Sequence, residues 1–174
     1  MAITSPERVW WKPADKQEKT WITIAIIWCV ILTIMMPLMH IIGKQNPSAE
    51  PLKISPMNFG KLANEFIDKY KVGEEQGIPV VHPPEGSDVY LVGKMWSWSP
   101  ILELEAGKRY KLHISSIDLM HGFSLQPLVT NFQILPGHDN ILNVTPTTPG
   151  VYHIICNEFC GIGHHTMVGK IIVK

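Results

Sequence analysis

The sequence has no excess of charge of either sign. Its 174 residues contain 15 Lys and Arg against 15 Asp and Glu, and they include no basic run. Proteins that bind nucleic acids usually carry a basic patch that neutralises phosphates. The balanced composition therefore argues against a nucleic-acid partner. Internal repeats and low-complexity tracts are also absent, which argues against a repeat architecture.

Charged residues are missing altogether from residues 20–43. As an α-helix this stretch would be about 36 Å long at about 1.5 Å per residue, whereas a hydrocarbon core is about 30 Å thick. It is longer than the apolar part of a signal peptide, and a polar segment precedes it. We therefore predict an uncleaved transmembrane helix over residues 20–43, surrounded by membrane lipid. A slight excess of Lys and Arg before the helix favours a cytoplasmic location for residues 1–19.

Cysteine is scarce, with three in the chain, which excludes a framework of several disulfides. Cys29 lies in the middle of the apolar stretch, where a cysteine acts as a small hydrophobic side chain. The informative pair is therefore Cys156 and Cys160, both in the segment CNEFCGIGHHTM of residues 156–167.

Residues 44–87 have the composition of a linker, with many Pro, Gly and polar residues. Within them, MNFGKLANEFIDKY places five apolar side chains at helical spacing: Phe59, Leu62, Phe66, Ile67 and Tyr70. This spacing predicts a short amphipathic helix, whose apolar face packs on the folded domain, the membrane surface or a partner subunit.

Residues 88–174 consist of short runs containing Val, Ile and Tyr, separated by turns with Gly and Pro. Such runs predict an all-β, Greek-key sandwich or barrel. In the run KRYKLHIS, apolar and polar residues alternate, which predicts that His113 faces solvent. We expect His138, in a Pro-Gly turn, to face solvent as well.

The segment of residues 156–167 combines thiols, imidazoles and a thioether, and its glycines favour a loop over a helix. Three hypotheses compete for it. A Cys156–Cys160 disulfide would leave His164 and Met167 without a role. A structural zinc site would use both thiols and imidazole but has no need of Met167. Copper electron-transfer sites combine thiolate, imidazole and a weak thioether, in the chain order Cys, His, Met that is also found here, so copper is the favoured hypothesis.

A copper site of this kind also needs a histidine from an upstream strand or loop, and IDLMHGF supplies His121. A single copper ion would need only one cysteine. Two cysteines that flank one loop indicate two copper ions sharing both thiolates, with one histidine on each ion. When one electron is shared by two ions, the geometry of the site changes little on reduction, which suits rapid electron transfer.

These motifs resemble subunit II, the copper-binding subunit, of haem-copper terminal oxidases. The loop CNEFCGIGHHTMVG, IDLMHGF, the ILPG turn and GVYHIIC are similar to the family in order and spacing. The single anchor, HGF and YHIIC most resemble the B-type, ba3-like group. The resemblance implies a cupredoxin fold over residues 88–174 that carries a dinuclear CuA centre. It also implies a single-pass protein of a bacterial or archaeal plasma membrane, with the copper domain on the periplasmic side.

The resemblance assigns six metal ligands, which are two imidazoles, two bridging thiolates, a thioether and a backbone carbonyl: His121, His164, Cys156, Cys160, Met167 and Glu158. In A-type relatives a Glu at the position of Glu158 helps to bind magnesium at the subunit interface, whereas a B-type relative is expected to carry Gln. Magnesium at the Glu158 carboxylate is therefore a separate hypothesis.

Other roles follow from the same resemblance. In MWSWSP, Trp96 would be the side chain through which electrons enter, with Trp98 as its neighbour, and the alternative is that both are packed core aromatics. Glu18, in EKTW, would begin a proton path into the catalytic subunit, unless it is simply solvated. The expected docking surface for a basic cytochrome consists of four apolar side chains and an acidic one: Leu119, Met120, Phe123, Ile162 and Asp118.

The implied function is that of the electron-transfer subunit of a proton-translocating cytochrome c oxidase. Electrons would pass from cytochrome c, or a similar donor, through CuA to haem in the catalytic subunit I, where O2 is reduced. No O2-reducing site is expected on this chain. The alternatives are the CuA subunit of a nitric oxide reductase and a zinc- or copper-stapled structural module of a membrane complex.

Overall fold

A computed structural model describes residues 13–42, 50–128 and 130–174. The chain divides into two compact units, residues 1–46 and residues 47–174. The described part of the first unit contains one helix, α1 (Lys16–Ile42), and the Asp15 carboxylate accepts a hydrogen bond of 2.7 Å from the Glu18 N–H in its first turn. By length and composition, Lys16–Met39 is able to cross a membrane. The predicted N-terminal apolar helix is confirmed, and most of residues 1–19 lie outside the described residues.

The second unit contains a helix, α2 (Pro56–Tyr70), and a 3-10 turn (His164–Thr166). Its strands are β1 (Glu50–Lys53), β2 (Lys71–Glu75), β3 (Ile78–Val81), β4 (Asp88–Lys94), β5 (Ser97–Ser99), β6 (Ile101–Leu104), β7 (Tyr110–Ser116), β8 (His121–Gln126), β9 (Thr130–Ile134), β10 (His138–Val144), β11 (Gly150–Ile155) and β12 (Val168–Val173).

These strands form two sheets around one hydrophobic core. One sheet has the order β1-β10-β7-β4-β5, and the other has the order β2-β3-β6-β12-β11-β8-β9. Pairing is mostly antiparallel, with parallel pairs at β4–β7, β6–β12 and β3–β6. Leu112 and Ile114 of the first sheet and Phe123 and Ile154 of the second are buried in the shared core. The prediction of an all-β sandwich is confirmed.

Helix α2 begins where Ser55 caps it, with its side chain accepting a hydrogen bond of 3.3 Å from the Asn58 N–H. Phe59 and Phe66 are buried, and each packs against the ring of Tyr90 on β4 at a centroid distance of 5.8 Å. The predicted amphipathic helix is therefore present, and its apolar face packs on its own domain.

The region predicted to be a linker, residues 44–87, differs from the prediction. Within it, β1 pairs with β10, and β2 and β3 extend the second sheet through β6. Gln76 and Gly77 form the turn of the β2–β3 hairpin. The strands of the folded unit thus begin by Glu50, well before Asp88. Its first strands were missed because they are short and their Gly, Pro and Glu residues do not show apolar alternation.

The prediction that His113 faces solvent is wrong. Its ring is buried, stacks on Tyr90 at 4.8 Å, and lies between two carboxylates. Nδ1 is 2.6 Å from Asp139 Oδ2, and Nε2 is 3.2 Å from Asp88 Oδ1. Alternation along β7 indicated which face carries His113, but not that Tyr90 of the neighbouring strand β4 stacks on its ring. His138 is half-buried rather than exposed.

Burial by itself lowers the pKa of His113. The hydrogen bonds and negative charges of Asp139 and Asp88 outweigh burial, so the pKa lies above its usual value of 6.5. The protonated imidazole is therefore favoured by the folded state. Its stabilisation is fully present below the unfolded-state pKa and is lost as the pH rises through the raised folded-state pKa.

We expect the free energy of unfolding of a fragment of residues 47–174 to fall as the pH rises above about 6.5. Asp139→Asn removes one partner of the buried pair and should cost about 3 kcal/mol at pH 6 and flatten the pH dependence. Urea unfolding at a series of pH values measures both effects. The control is Glu85→Gln, which breaks an exposed ion pair with Lys108. It should cost less than about 1 kcal/mol and leave the slope unchanged, and a wild-type fragment with no such slope would contradict the assignment.

Candidate metal centre

Three neighbouring strands of the second sheet deliver the residues of the candidate metal centre. His121 is the first residue of β8, Cys156 directly follows β11, and Met167 directly precedes β12. Because β11 pairs with both β8 and β12, these three positions meet at one end of the sheet. The loop of residues 156–167 closes over this end, and we refer to it as the metal loop. The side chains of the three residues are buried.

The two cysteines lie at the middle of the site, each next to one imidazole. Cys156 Sγ is 3.7 Å from Cys160 Sγ, and both thiols are free. The Nδ1 atom of His121 is 4.0 Å from Cys156 Sγ, and the Nδ1 atom of His164 is 3.6 Å from Cys160 Sγ. The arrangement is therefore a central pair of sulfur atoms flanked by one imidazole nitrogen on each side.

Two weaker donors complete the site. Met167 Sδ lies 3.8 Å from Cys160 Sγ, and the carbonyl oxygen of Glu158 lies 3.2 Å from Cys156 Sγ. All six residues predicted from the sequence as metal ligands are thus brought together. Within the described parts of the chain, one group of three or more His, Cys, Asp or Glu side chains has metal-sized spacing, and it contains His121 and both cysteines.

The donor set fits a soft metal ion. A separation of 3.7 Å suits two thiolates bound to a shared ion with metal–sulfur bonds of about 2.3 Å. Burial, together with the neighbouring Cys156 thiol, raises the pKa of Cys160 to about 11. In the metal-free protein this thiol is protonated at neutral pH, so a metal ion must displace its proton on binding.

Asp118 orients the His121 ring. Its Oδ1 accepts a hydrogen bond of 2.8 Å from His121 Nε2, and its Oδ2 accepts one of 2.7 Å from the Met95 N–H. Burial raises the pKa of Asp118, but these hydrogen bonds outweigh it and hold the pKa below its usual value. With Nε2 acting as donor, Nδ1 keeps its lone pair for a metal ion. The Asp118 carboxylate thus binds groups of its own domain, whereas the prediction from the sequence was that it contacts a cytochrome.

The two tryptophans have different environments. Trp96 is 41% exposed at the surface, and its Nε1 donates a hydrogen bond of 3.2 Å to the Cys160 carbonyl. Trp98 is buried in the core, with its ring edge-on to those of His121 and Phe123. The alternative that both tryptophans are packed core aromatics thus fits the buried Trp98 but not the exposed Trp96.

The predicted docking surface is only partly exposed. Leu119, Met120 and Ile162 reach solvent, but Phe123 is fully buried because it packs between Trp98 and Phe132. Including Phe123 in that surface is therefore wrong. Phe159 is 79% exposed and was missed. Its position between the two cysteines, outside any strand-like run, was the feature of the sequence that could have identified it as exposed.

Side chains of β9 hold the first half of the metal loop. Asn157 Nδ2 donates a hydrogen bond of 3.0 Å to Asn131 Oδ1, and Gln133 Nε2 donates one of 3.1 Å to Glu158 Oε1. The Glu158 carboxylate is therefore bound to its own domain, and magnesium at Glu158 remains a hypothesis. These contacts of Asn131 and Gln133 were invisible in the sequence because they depend on the β8–β9 pairing. Glu18 is exposed in the first turn of α1, and its proposed proton role also remains a prediction.

Comparison with known proteins identifies the family of this chain. A family model described as the periplasmic domain of cytochrome c oxidase subunit II matches residues 100–174. Cytochrome c oxidase subunit 2 of Thermus thermophilus is 36% identical over 92 residues, which is 52% of this chain and 68% of that relative. This chain belongs to the cytochrome c oxidase subunit II family. It is thus a subunit of a haem-copper oxidase, which is an oxidoreductase complex.

Solved structures show the same fold at low identity. A chain in the cryo-EM structure of a haem-copper terminal oxidase dimer matches 91% of this chain and 100% of its own length, with a TM-score of 0.59 and 23% identity. A rusticyanin variant matches 73% of this subunit and 99% of its own length, with a TM-score of 0.52 and 19% identity. These likenesses show a cupredoxin-like fold. The family match and the apolar helix fit a single-pass membrane protein.

Gly122 packs closely against the start of the metal loop, and this contact provides a test of how the loop is held. A Cβ atom at Gly122 would overlap Asn157 Oδ1 and lie 2.8 Å from the Glu158 backbone nitrogen. Gly122→Ala should therefore displace the start of the metal loop, destabilise the domain by about 1–3 kcal/mol and lower bound copper to less than about half of the wild-type amount. Thermal unfolding and metal analysis of the 47–174 fragment measure these effects.

The matched control is Gly60→Ala in α2. There a Cβ atom would meet only Ile117 Cγ2, at 3.8 Å. This variant should keep its copper and be equally stable or up to about 1 kcal/mol more stable, since alanine favours a helix. Wild-type copper content in Gly122→Ala would show that the loop is not held as described.

Proposed function

We propose that this subunit carries a dinuclear CuA centre and transfers single electrons within a terminal oxidase. The observation that carries the proposal is the pair of thiols 3.7 Å apart with one imidazole nitrogen beside each. The proposed ligands are the two imidazoles, the two bridging thiolates, the thioether and the backbone carbonyl: His121, His164, Cys156, Cys160, Met167 and Glu158. When bound, the two copper ions supply a one-electron redox couple.

The number and type of donors support copper over a zinc staple. A structural zinc ion takes four ligands in a tetrahedron and does not use thioethers. Here Met167 is fully buried and lies beside Cys160, where a purely structural role would not require sulfur. A weak thioether next to thiolate and imidazole is the donor combination of copper electron-transfer sites.

The protein shields four of the six proposed ligand residues from water and holds one of the imidazoles in place. The ligand side chains of His121, Cys156, Cys160 and Met167 are buried, and Asp118 fixes the orientation of the His121 ring. Rigid ligands in a low-dielectric site leave little to rearrange when the charge of the centre changes. These properties suit electron transfer and need no substrate pocket.

An apolar surface around the metal loop supports docking of a protein donor. Its side chains, which we call the apolar rim, are Trp96, Leu119, Met120, Phe159 and Ile162, all at least 38% exposed. No rim residue is charged, and the nearby Asp118 carboxylate points inward. We therefore propose that cytochrome c, or a similar donor, docks mainly by apolar contact. Electrons would enter through Trp96 at the surface and through Trp98, its neighbour in the core.

Family membership supports proposals for the remaining roles. We propose that α1 anchors the subunit in lipid, with its N-terminal segment in the cytoplasm and the copper domain on the periplasmic side of a bacterial or archaeal plasma membrane. Electrons would then pass to haem in subunit I, where O2 is reduced and protons are translocated. Glu18, exposed at the start of α1, is the proposed beginning of a proton path.

The dinuclear centre is tested on a fragment of residues 47–174, the whole compact unit, loaded with copper. We expect two copper ions per chain and the multiline EPR pattern of one unpaired electron shared by two copper nuclei. One zinc ion per chain, or the spectrum of a single copper, would contradict the proposal. Cys160→Ser should abolish the shared-electron pattern because one bridging thiolate is lost.

A matched pair of variants in the 3-10 turn tests the choice of histidine. His164 Nδ1 faces Cys160 Sγ, whereas the neighbouring His165 is exposed. His164→Asn should lose the multiline pattern, and His165→Asn should keep it together with the full copper content. The reverse result would move the ligand to His165.

Docking is tested by stopped-flow reduction of the copper-loaded fragment by reduced cytochrome c. Ile162 is 90% exposed, so Ile162→Asp should leave the copper spectrum unchanged and reduce the bimolecular rate constant about tenfold. The control is Val151→Asp, which also places a carboxylate on an exposed apolar residue, but near the end of β11 that is farther from the site. Equal effects of the two variants would exclude the apolar rim as the docking surface.

A further inference from the structure

The Trp96 indole lies across the second half of the metal loop. Its Nε1 donates a hydrogen bond of 3.2 Å to the carbonyl oxygen of Cys160, a residue 64 positions away in the chain. The same nitrogen lies 3.4 Å from the place where a Cβ atom of Gly161 would be. Trp96 thus contacts the loop directly after the second cysteine.

Gly163 has no side chain because the indole occupies that space. A Cβ atom there would overlap the ring and lie 2.7 Å from both Cγ and Cε3 of Trp96. The backbone of Gly163, at φ −87° and ψ 11°, is one that other residues adopt. Gly161 is different, because its φ of +111° itself favours glycine. The requirement for glycine at position 163 therefore comes from Trp96 and not from the backbone.

The part of the loop under the indole carries the ligand turn. The His164 N–H donates to the Gly161 carbonyl at 3.1 Å, and the Thr166 N–H donates to the Gly163 carbonyl at 3.0 Å. These bonds form the 3-10 turn that places His164 Nδ1 next to Cys160 Sγ. Movement of the segment under Trp96 would move this imidazole relative to the cysteine.

We propose that Trp96 is a positioning residue, which holds the Cys160–Gly163 backbone and so sets the His164 ring against the cysteine pair before metal binds. This role is separate from the passage of electrons through Trp96. The effect of Trp96 on the copper centre rests on the proposed function, but its effect on the loop backbone does not. The energy comes from one hydrogen bond to a backbone carbonyl and from close packing of a flat ring on two glycines.

The first test uses the full chain, purified in detergent without copper, and hydrogen exchange of the loop amides. Trp96→Phe keeps a ring over the glycines but has no N–H donor. We expect exchange of the His164 and Thr166 amides to become about three- to tenfold faster, the effect of losing one hydrogen bond. Unchanged exchange in Trp96→Phe would overturn the proposal. Because no metal is present, this outcome does not depend on whether the centre is CuA.

The second test uses the clash itself. Gly163→Ala should loosen the loop and, after copper loading, broaden or shift the copper hyperfine pattern, whereas Gly73→Ala, with no atom within 4 Å of its Cβ, should change neither. In the Trp96→Ala background, Gly163→Ala should cause almost no further change, because the ring that excludes the methyl group is gone.

Additive effects of the two substitutions would overturn the inference that the Trp96 ring is the reason for glycine at position 163. A simple electron-entry role gives a different result. In that case Trp96→Phe slows reduction by the donor but leaves both the amide exchange and the copper spectrum as in the wild type.

Discussion

The pairing of β11 with β8 on one side and with β12 on the other is the constraint on which the metal centre depends. It places Ile155 opposite both Ser124 and Val168, so the strand ends that carry His121, Cys156 and Met167 lie side by side. Apolar residues of the same strands, including Phe123 and Ile154, are buried in the common core. Hydrophobic burial therefore fixes the register that brings the proposed ligands together.

The metal loop is held from both directions by the strands around it. On one side, Asn131 and Gln133 bind the side chains of Asn157 and Glu158. On the other side, Trp96 covers the glycines that follow Cys160. A loop with two free cysteines would be costly to order for each metal ion that binds, because loop residues lose conformational freedom. Here most of that ordering is supplied by contacts within the domain, which is the preorganisation that a functional site requires.

The local chemistry of the site was predictable because its ligands are unusual residues close together in the chain. Two cysteines, adjacent histidines and a methionine within residues 156–167 indicate metal binding wherever the loop lies, and the structure places the predicted side chains together. Helix α2 was predictable from its apolar spacing. By contrast, His113 was assigned to the surface because alternation along one strand does not reveal what covers each face. Phe123 was assigned to the docking surface from the family resemblance, which did not reveal that its ring is buried in the core. The strands before Asp88 were missed since their pairing, not their composition, makes them part of the domain.

The sequence by itself determined the donor types, the order in which they occur, the apolar N-terminal helix and the β character of the rest. These are local properties, set by side-chain chemistry and by periods of two or 3.6 residues. Only the tertiary structure decided that Asp118 turns inward to His121, that Trp98 is core while Trp96 is surface, and that Gly163 must leave room for an indole. Each of these depends on contacts between residues distant in the chain, and such contacts exist only once the two sheets have closed around their shared core.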